Sequence, residues 1–460
     1  MDRKNLLLMI ASAGTFVEAL DIAIINLTIP SIQEQFGITT ETVQWLQTLY
    51  VLFFGGFLII GGKLSDQVGS RRVFLCGSLI FMLTSLGAGL STSFGTLAVF
   101  RALQGLGAAF IMPSAMSIVT HTFREERERS RAVGIFSSFA AIGSGSGLSL
   151  GGIISTYLSW HWVFLINVPV LLITLIFAYR YLPENEKMAN QKTDLLSGVL
   201  LVLGLLGLTY GTHELIHIKE QTAVVTGALF VSIVLLMLVG YRLKSTAEPL
   251  IDVKMLRYPS LMVSNFAFVA LGAFFIGFLF LISLMLQKDM SHSAASAGLM
   301  LVPFSIMSAL VAKFVLPSVA KRLSSAQMGI FGWVFMLTGA IVLLISIHSG
   351  HPLPLVLSGA ACISGIGMTF CFTALSVLGI QEVAAADYGV ASSLGSTSYF
   401  LGAGLGLSFM TLMSQVFPSV LAVGDLSITI LIGYAVFALS MLFYFMIRSL
   451  RNEPREVAVS

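Results

Sequence analysis

Long apolar runs broken by short polar links set the rhythm of this chain. Fourteen stretches are long enough to cross a bilayer as helices of about 20 residues. They fall at roughly 6–30, 43–62, 72–90, 97–119, 131–155, 161–181, 195–212, 222–243, 261–286, 296–316, 327–347, 354–378, 388–411 and 427–447. Links such as STSFGT (Ser91–Thr96), LSWHW (Leu158–Trp162) and HSGHP (His348–Pro352) leave room for little more than a turn, so the spans they join run antiparallel. The first run carries two carboxylates, Glu18 and Asp21, three residues apart and therefore on one helix face. A charged side chain at membrane depth is costly and faces a bundle interior or a watery cavity.

Charge then orients the spans. Of the 25 Lys and Arg residues, 21 lie on the side that holds both termini, and only Lys219 and Lys288 lie on the other. Arg101 and Lys313 fall within spans. This bias places both termini in the cytoplasm, and an odd number of spans would destroy it. Composition agrees: the 460 residues are 56% hydrophobic and only 10% charged, with mean hydropathy +0.93, against about 25% charged residues in soluble domains. The three cysteines have no metal-ligand spacing and imply no disulfide framework. The opening MDRKNLLLMIASAG has the look of a signal peptide, but its apolar run continues into the carboxylate face and reads as the first span.

Internal repetition divides the chain. GSGSGLSL from Gly143 in the fifth span is echoed by GAGLGLSF from Gly402 in the thirteenth. Gly105-Leu-Gly107 in the fourth is echoed by Gly365-Ile-Gly367 in the twelfth. Eight spans separate each pair, as expected for two bundles of six flanking an extra pair. The expected units are an N-terminal six-helix bundle at 1–190, an inserted helix pair at 191–248 and a C-terminal six-helix bundle at 249–460. The fold class is all-α and polytopic.

Depth brings the intramembrane charges together. Asp21 lies about 22 Å from the cytoplasmic start of the first span at 1.5 Å per residue, some 8 Å below the outer face of a core of about 30 Å. Arg101, in a span descending from outside, lies at a similar depth, so the two can meet and couple electrostatically. Glu18 sits one turn nearer the cytoplasm. Burial, a neighbouring carboxylate and a neighbouring Arg pull a carboxyl's proton affinity in opposed directions, which suits both acids to proton binding. Lys313 is the one other ionisable residue at depth; its stem either snorkels to the interface or reaches a cavity. With Asn26, Gln104 and Tyr399, it completes a set of candidate substrate-cavity residues.

The link between the second and third spans reads GGKLSDQVGSRRVF. Gly62 permits close approach, Gly69 permits a tight turn, and Asp66 among Lys63, Arg71 and Arg72 is suited to bridging to another helix end. Gly62, Leu64, Asp66, Gly69 and Arg71 match GxLaDrxGrk, and the loop resembles the signature loop of the major facilitator superfamily. LDIAIINLTIP (Leu20–Pro30) is similar to the first-helix motif of its fourteen-helix drug:proton antiporters, RALQGLGAA (Arg101–Ala109) to their fourth-helix motif, and SWHWVFLINVPV (Ser159–Val170) to the link into their sixth helix. Gly134, Gly143, Gly147, Gly151 and Gly152 match the glycines of the fifth-helix antiporter motif, but Leu148 stands where the family has Pro. The resemblance implies proton-coupled export of amphipathic, drug-like molecules from the cytoplasmic membrane by alternating access. Asp21, Glu18 and Arg101 would then couple protons. Gly62, Asp66, Gly69, Arg71 and Arg72 would form a cytoplasmic gate, and the glycines of the fifth span would pack the moving interface.

Rival readings rest on less. Leu148 and Lys313 favour a transporter of another kind, an uptake symporter or an exporter of a metabolite or lipid. His213-Glu-Leu-Ile-His217 matches HExxH, a zinc hydrolase signature on a helix, but no third ligand is expected on the same side. A transport-dead receptor would need a signalling domain, and none is visible. No Walker loop occurs, so the proton gradient and not ATP is the expected driving force. The chain is expected to be a monomer needing no cofactor or metal and binding no nucleic acid; its partners are small substrates, protons and the bilayer.

Overall fold

The computed structural model describes residues 3–183, 194–217, 221–246, 249–383, 388–416 and 423–452. Fourteen long helices dominate it. They are α1 (Arg3–Ile24), α2 (Thr40–Val68), α3 (Ser70–Gly89), α4 (Phe94–Thr122), α5 (Glu126–Tyr157), α6 (Asn167–Tyr181) and α7 (Leu195–His213). Then follow α8 (Thr222–Ser245), α9 (Pro259–Leu284), α10 (Ala294–Leu310), α11 (Ser325–His348), α12 (Leu353–Ile380, with a π-helical segment over Ala361–Gly367), α13 (Tyr388–Val416) and α14 (Val423–Asn452). Each answers one predicted span. Thirteen are long and apolar enough to cross a membrane, and α13, glycine- and serine-rich, is the fourteenth. The protein is a multi-pass membrane protein.

The first span ends sooner than its hydropathy suggests. The helix tightens to a 3₁₀ turn at Ile25–Leu27, and a short helix, Ile29–Phe36, restarts with Pro30 in its first turn. Proline has no N–H to continue the earlier ladder but suits a helix start. Gly37, at φ +60°, closes that helix in the left-handed conformation.

Packing follows the repeat. In the N-terminal half α1 packs on α5, α4 and α6, α4 on α2 and α3, and α3 on α6. In the C-terminal half α9 packs on α13, α12 and α14, α12 on α10 and α11, and α11 on α14. These are the same pairings eight helices on. Between the halves α5 meets α10, and α2 meets α13. α7 and α8 pack on each other, and α7 leans on α2 and α13 beside that second seam.

The seams differ in extent. α2 and α13 hold together toward the end bearing Arg3, Arg71 and Arg124 (the basic end) through Ile59, Ile60, Ala391 and Leu394. α5 and α10 meet toward the opposite end: Gly298 packs on the Leu148 carbonyl, and the Ala295 amide donates to Thr156 Oγ1 at 3.0 Å. Ser283 Oγ donates to the Asn26 carbonyl at 2.6 Å, and Lys288 Nζ to Gln33 Oε1 at 3.0 Å. Beyond Leu310, the Val311–Val315 and Leu316–Val319 turns of the α10 leg bury no residue. The halves are thus closed at the far end and partly parted at the basic end.

Candidate functional site

Four helices converge on the first-span acids. α1 presents Asp21, and α4 brings in Arg101 at matching depth; both side chains are wholly buried. Arg101 Nη1 donates to Asp21 Oδ2 at 2.5 Å and to Gln104 Oε1 at 3.1 Å, while its Nε donates to the Leu46 carbonyl of α2 at 3.2 Å. Asn167, opening α6, donates to Asp21 Oδ1 at 2.8 Å, and Gln104 Nε2 reaches the same oxygen at 3.5 Å. Gln104 also donates to Ser85 Oγ of α3 at 2.8 Å. The guanidinium lies 4.3 Å from the Tyr50 ring centroid and 5.8 Å from that of Phe164.

Removing two charges from water costs several kcal/mol per ion, offset only when geometry is good and the remaining lone pairs are bonded. Both oxygens of Asp21 meet that condition. Glu18 does not: it is 5% exposed, and its buried Oε2 has no hydrogen-bond partner. Tyr50 Oη and both polar atoms of the Gln47 side chain, on α2, are likewise buried without a partner.

All partners of Asp21 belong to the N-terminal half. Of the two settings open to a charge at that depth, a bundle interior or a watery cavity, Asp21 takes the first: it is locked inside one bundle. Gln104, expected in the substrate cavity, belongs to this cluster too. Asn26 is buried and turns its amide onto the Ile22 and Ala23 carbonyls. Tyr399 is buried edge-on to Phe372 and Phe400, and Lys313 is exposed on the α10 leg, 5.2 Å from the Phe314 ring centroid. Among the described residues, these four share no hydrogen bond or ring contact with one another.

The cavity of about 530 Å³ that opens between the halves lies at the basic end. It is lined by Gly62, Lys63, Asp66 and His121 of α2 and α4, and by Ser392, Ser393 and Ser396 of α13. A second, of about 790 Å³, lies beside Arg3, Asp66, Arg71, His121 and Arg124. Asp66 faces both and makes no ion pair among the described residues. Lys63 instead donates to the Pro249 carbonyl, and Arg71 to the Tyr179 carbonyl at 2.6 Å; Arg72 is exposed. Gly69, at φ +100°, makes the sharp turn from α2 into α3.

Residues 11–407 match the family model described as Major Facilitator Superfamily. The chain belongs to the major facilitator superfamily. Among similar proteins, "Cephamycin export protein CmcT" of Amycolatopsis lactamdurans is 33% identical over 88% of this chain and 83% of its own length. "Multidrug resistance protein Stp" of Mycobacterium tuberculosis is 28% identical over 89% and 76%. "Multidrug efflux pump LfrA" of Mycolicibacterium smegmatis is 29% identical over 84% and 76%. A solved D-xylose–proton symporter superposes with TM-score 0.69 at 14% identity, covering 96% of this chain and 98% of that one, which speaks for the fold alone.

The fifth-helix glycines of this facilitator divide by face. A Cβ at Gly147 would lie 2.7 Å from the Leu20 carbonyl oxygen and one at Gly151 2.5 Å from that of Ile24; Gly143 abuts the Phe16 carbonyl in the same way. Those three seat α5 on α1. Gly152 abuts the Ala294 carbonyl of α10, across the seam between the halves. Gly134 packs against nothing within 4 Å, so it takes no part in either contact. α5 runs unbroken through Leu148, whose amide, unlike that of Pro, continues the helix.

The HExxH match is not one α-helical turn, because α7 stops at His213 and the backbone tightens to 3₁₀ over Glu214–His217. The side chains of His213 and His217 lie outside the described residues. No group of three or more His, Cys, Asp or Glu side chains that could hold a metal occurs among the described ones. Sequence reasoning missed Asn167, Tyr50 and His121. Asn167 had a signal, a lone amide inside the apolar run LINVPV; the other two had none beyond their place on helices whose rotation was unknown.

Proposed function

We propose that this facilitator is a proton-coupled exporter of amphipathic, drug-like small molecules, acting as a monomer in the cytoplasmic membrane with both termini in the cytoplasm. The observation that carries the reading is the Asp21–Arg101 pair, wholly buried at the centre of the half that moves against α10 and α13. A carboxylate held by a guanidinium there cannot change its charge without disturbing α1, α2, α4 and α6 together, so proton binding is tied to how those helices pack. The closed far end and the parted basic end correspond to one station of an alternating-access cycle. Relatives named for export and multidrug resistance support the substrate class and the direction. Asp66 and Arg71 would bridge the halves when the basic end closes, and Gly152, set against the Ala294 carbonyl, would let α5 move against α10 without a side chain to strip past at that point.

Inverted membrane vesicles carrying the protein should accumulate ethidium when an inward-acidic gradient is imposed, and a protonophore should abolish the uptake. Accumulation unaffected by collapse of the gradient would refute proton coupling. Leu148 in place of the motif proline is the one observation favouring a symporter, and ethidium flux in the opposite sense would establish that reading instead.

A further inference from the structure

The break at the end of α1 leaves a backbone acceptor turned toward the other half. Pro30 has no N–H, so it offers nothing to the carbonyl four residues earlier, that of Asn26. Neighbouring carbonyls are served from within the N-terminal half. The Asn26 side-chain amide donates to those of Ile22 and Ala23 at 3.1 and 3.3 Å, and the Thr28 amide and hydroxyl donate to that of Ile25 at 3.0 and 2.8 Å. The Asn26 carbonyl instead accepts from Ser283 Oγ of α9 at 2.6 Å, across the seam. Asn26 and Ser283 are both buried, and a buried carbonyl left without a donor is costly.

Around that bond the contact is built from both sides. Gln287 Nε2 donates to Ser283 Oγ at 3.0 Å, which leaves the hydroxyl proton free to point at the Asn26 carbonyl. The short helix that Pro30 opens, Ile29–Phe36, is fixed to its own half: Ser31 Oγ lies 2.9 Å from Ser155 Oγ, and Gln35 accepts from Trp160 Nε1 at 2.6 Å. Its Gln33 accepts from Lys288 Nζ at 3.0 Å, on the π-helical turn Met285–Asp289 that continues α9. None of these bonds pairs two opposite charges.

We infer that Ser283 is a positioning residue that latches the far end shut, and that Pro30 creates the acceptor it holds. The helix that carries Asp21 presents this carbonyl five residues later, so a shift of α1 at the Asp21–Arg101 pair reaches the latch directly, with no ion pair needed at the far end. When the latch parts, water takes over both groups and the halves rock the other way, closing the basic end. This rests on the alternating-access part of the proposed function, yet its test needs neither substrate nor gradient.

Hydrogen–deuterium exchange of the full chain in lipid nanodiscs, read by mass spectrometry, follows both ends at once. Ser283→Ala should speed exchange about three- to tenfold, the worth of one hydrogen bond, in far-end peptides covering 24–36 and 280–296. It should slow exchange in peptides covering 58–66 and 112–121, which line the basic-end cavity. A protein that is merely destabilised exchanges faster at both ends. Pro30→Ala, which gives residue 30 an N–H for the Asn26 carbonyl, should produce the same opposed pattern, and it decides by the same criterion where Ser283→Ala does not fold. Faster exchange at both ends, or no change at the far end, overturns the latch. An opposed pattern in these variants, with no proton-driven ethidium transport in the parent, would instead count against the export reading and leave the latch identified.

Discussion

The two halves of this facilitator share one helix-packing plan and differ in what they bury at its centre. In the N-terminal half α1, α4 and α6 enclose an ion pair with amide, hydroxyl and aromatic partners. In the C-terminal half the core between α9, α11 and α12 is filled by Trp333, Phe274 and Phe370, with Phe274 edge-on to Trp333 at 5.9 Å between centroids. The glycine contacts within each half, by contrast, are alike: Gly143, Gly147 and Gly151 seat α5 on α1, and Gly402 and Gly406 seat α13 on α9. Duplication has kept the glycines that let helices approach, since any side chain there meets backbone, and has let the centres diverge. One half buries an ion pair at its centre, while the other buries aromatic side chains.

Breaking the pair should separate the halves most sharply. Arg101→Ala leaves Asp21 buried without its cation and should cost about 3–5 kcal/mol, read as a large drop in melting temperature. Asp21→Asn combined with Arg101→Met should recover most of that stability and still abolish proton-driven transport. Trp333→Phe, whose lost indole N–H has no partner in the structure, should cost under about 1.5 kcal/mol and leave transport intact. Equal losses for Arg101→Ala and Trp333→Phe would end the contrast.

The seams provide the next test. Gly147→Ala pushes a methyl against the Leu20 carbonyl and Ala23 Cβ and should cost about 1–3 kcal/mol. Gly404→Ala meets side-chain atoms of Leu52 and Val51 and no backbone and should be milder, and Gly134→Ala, in open space, should be neutral or stabilising by up to about 1 kcal/mol. Thermal melting of the three variants ranks them; the reverse order would remove the distinction between packed and open glycines.

The smallest effect is expected at the inserted pair. Asp194 caps α7 by accepting from the Ser197 amide at 3.2 Å and bonds Arg242 of α8 at 2.7 Å. Burial alone would raise its carboxyl, but the bonds from Ser197 and Arg242 together hold it below the ordinary carboxylate range. A depressed value means the bonded carboxylate adds stability above the unfolded carboxyl value of about 3.9, and that this contribution disappears as pH falls through the lower folded value. Asp194→Asn should cost about 1 kcal/mol at neutral pH, in line with loss of a helix cap. Its melting temperature should converge on the parent's at acid pH, and a gap that widens there would contradict the sign.

Much of this could be read from residues alone. Span length and the Lys and Arg bias set the helix number, because a run of about 20 apolar residues crosses a bilayer as a helix and charges find no cheap place inside. Glycine spacing set the repeat, and helical rise set the meeting of Asp21 with Arg101. Helix rotation and the relative placing of the halves came only with the tertiary structure. Periodicity tells which side chains share a face but not what that face is turned toward. That Asp21 is sealed within one bundle, that Gln104 serves it and lines no substrate cavity, that Gly134 packs on nothing, and that α5 and α10 touch at one end depend on contacts between residues far apart in the chain. Such contacts are settled only when fourteen apolar surfaces, each able to pack in several ways, come together in one arrangement.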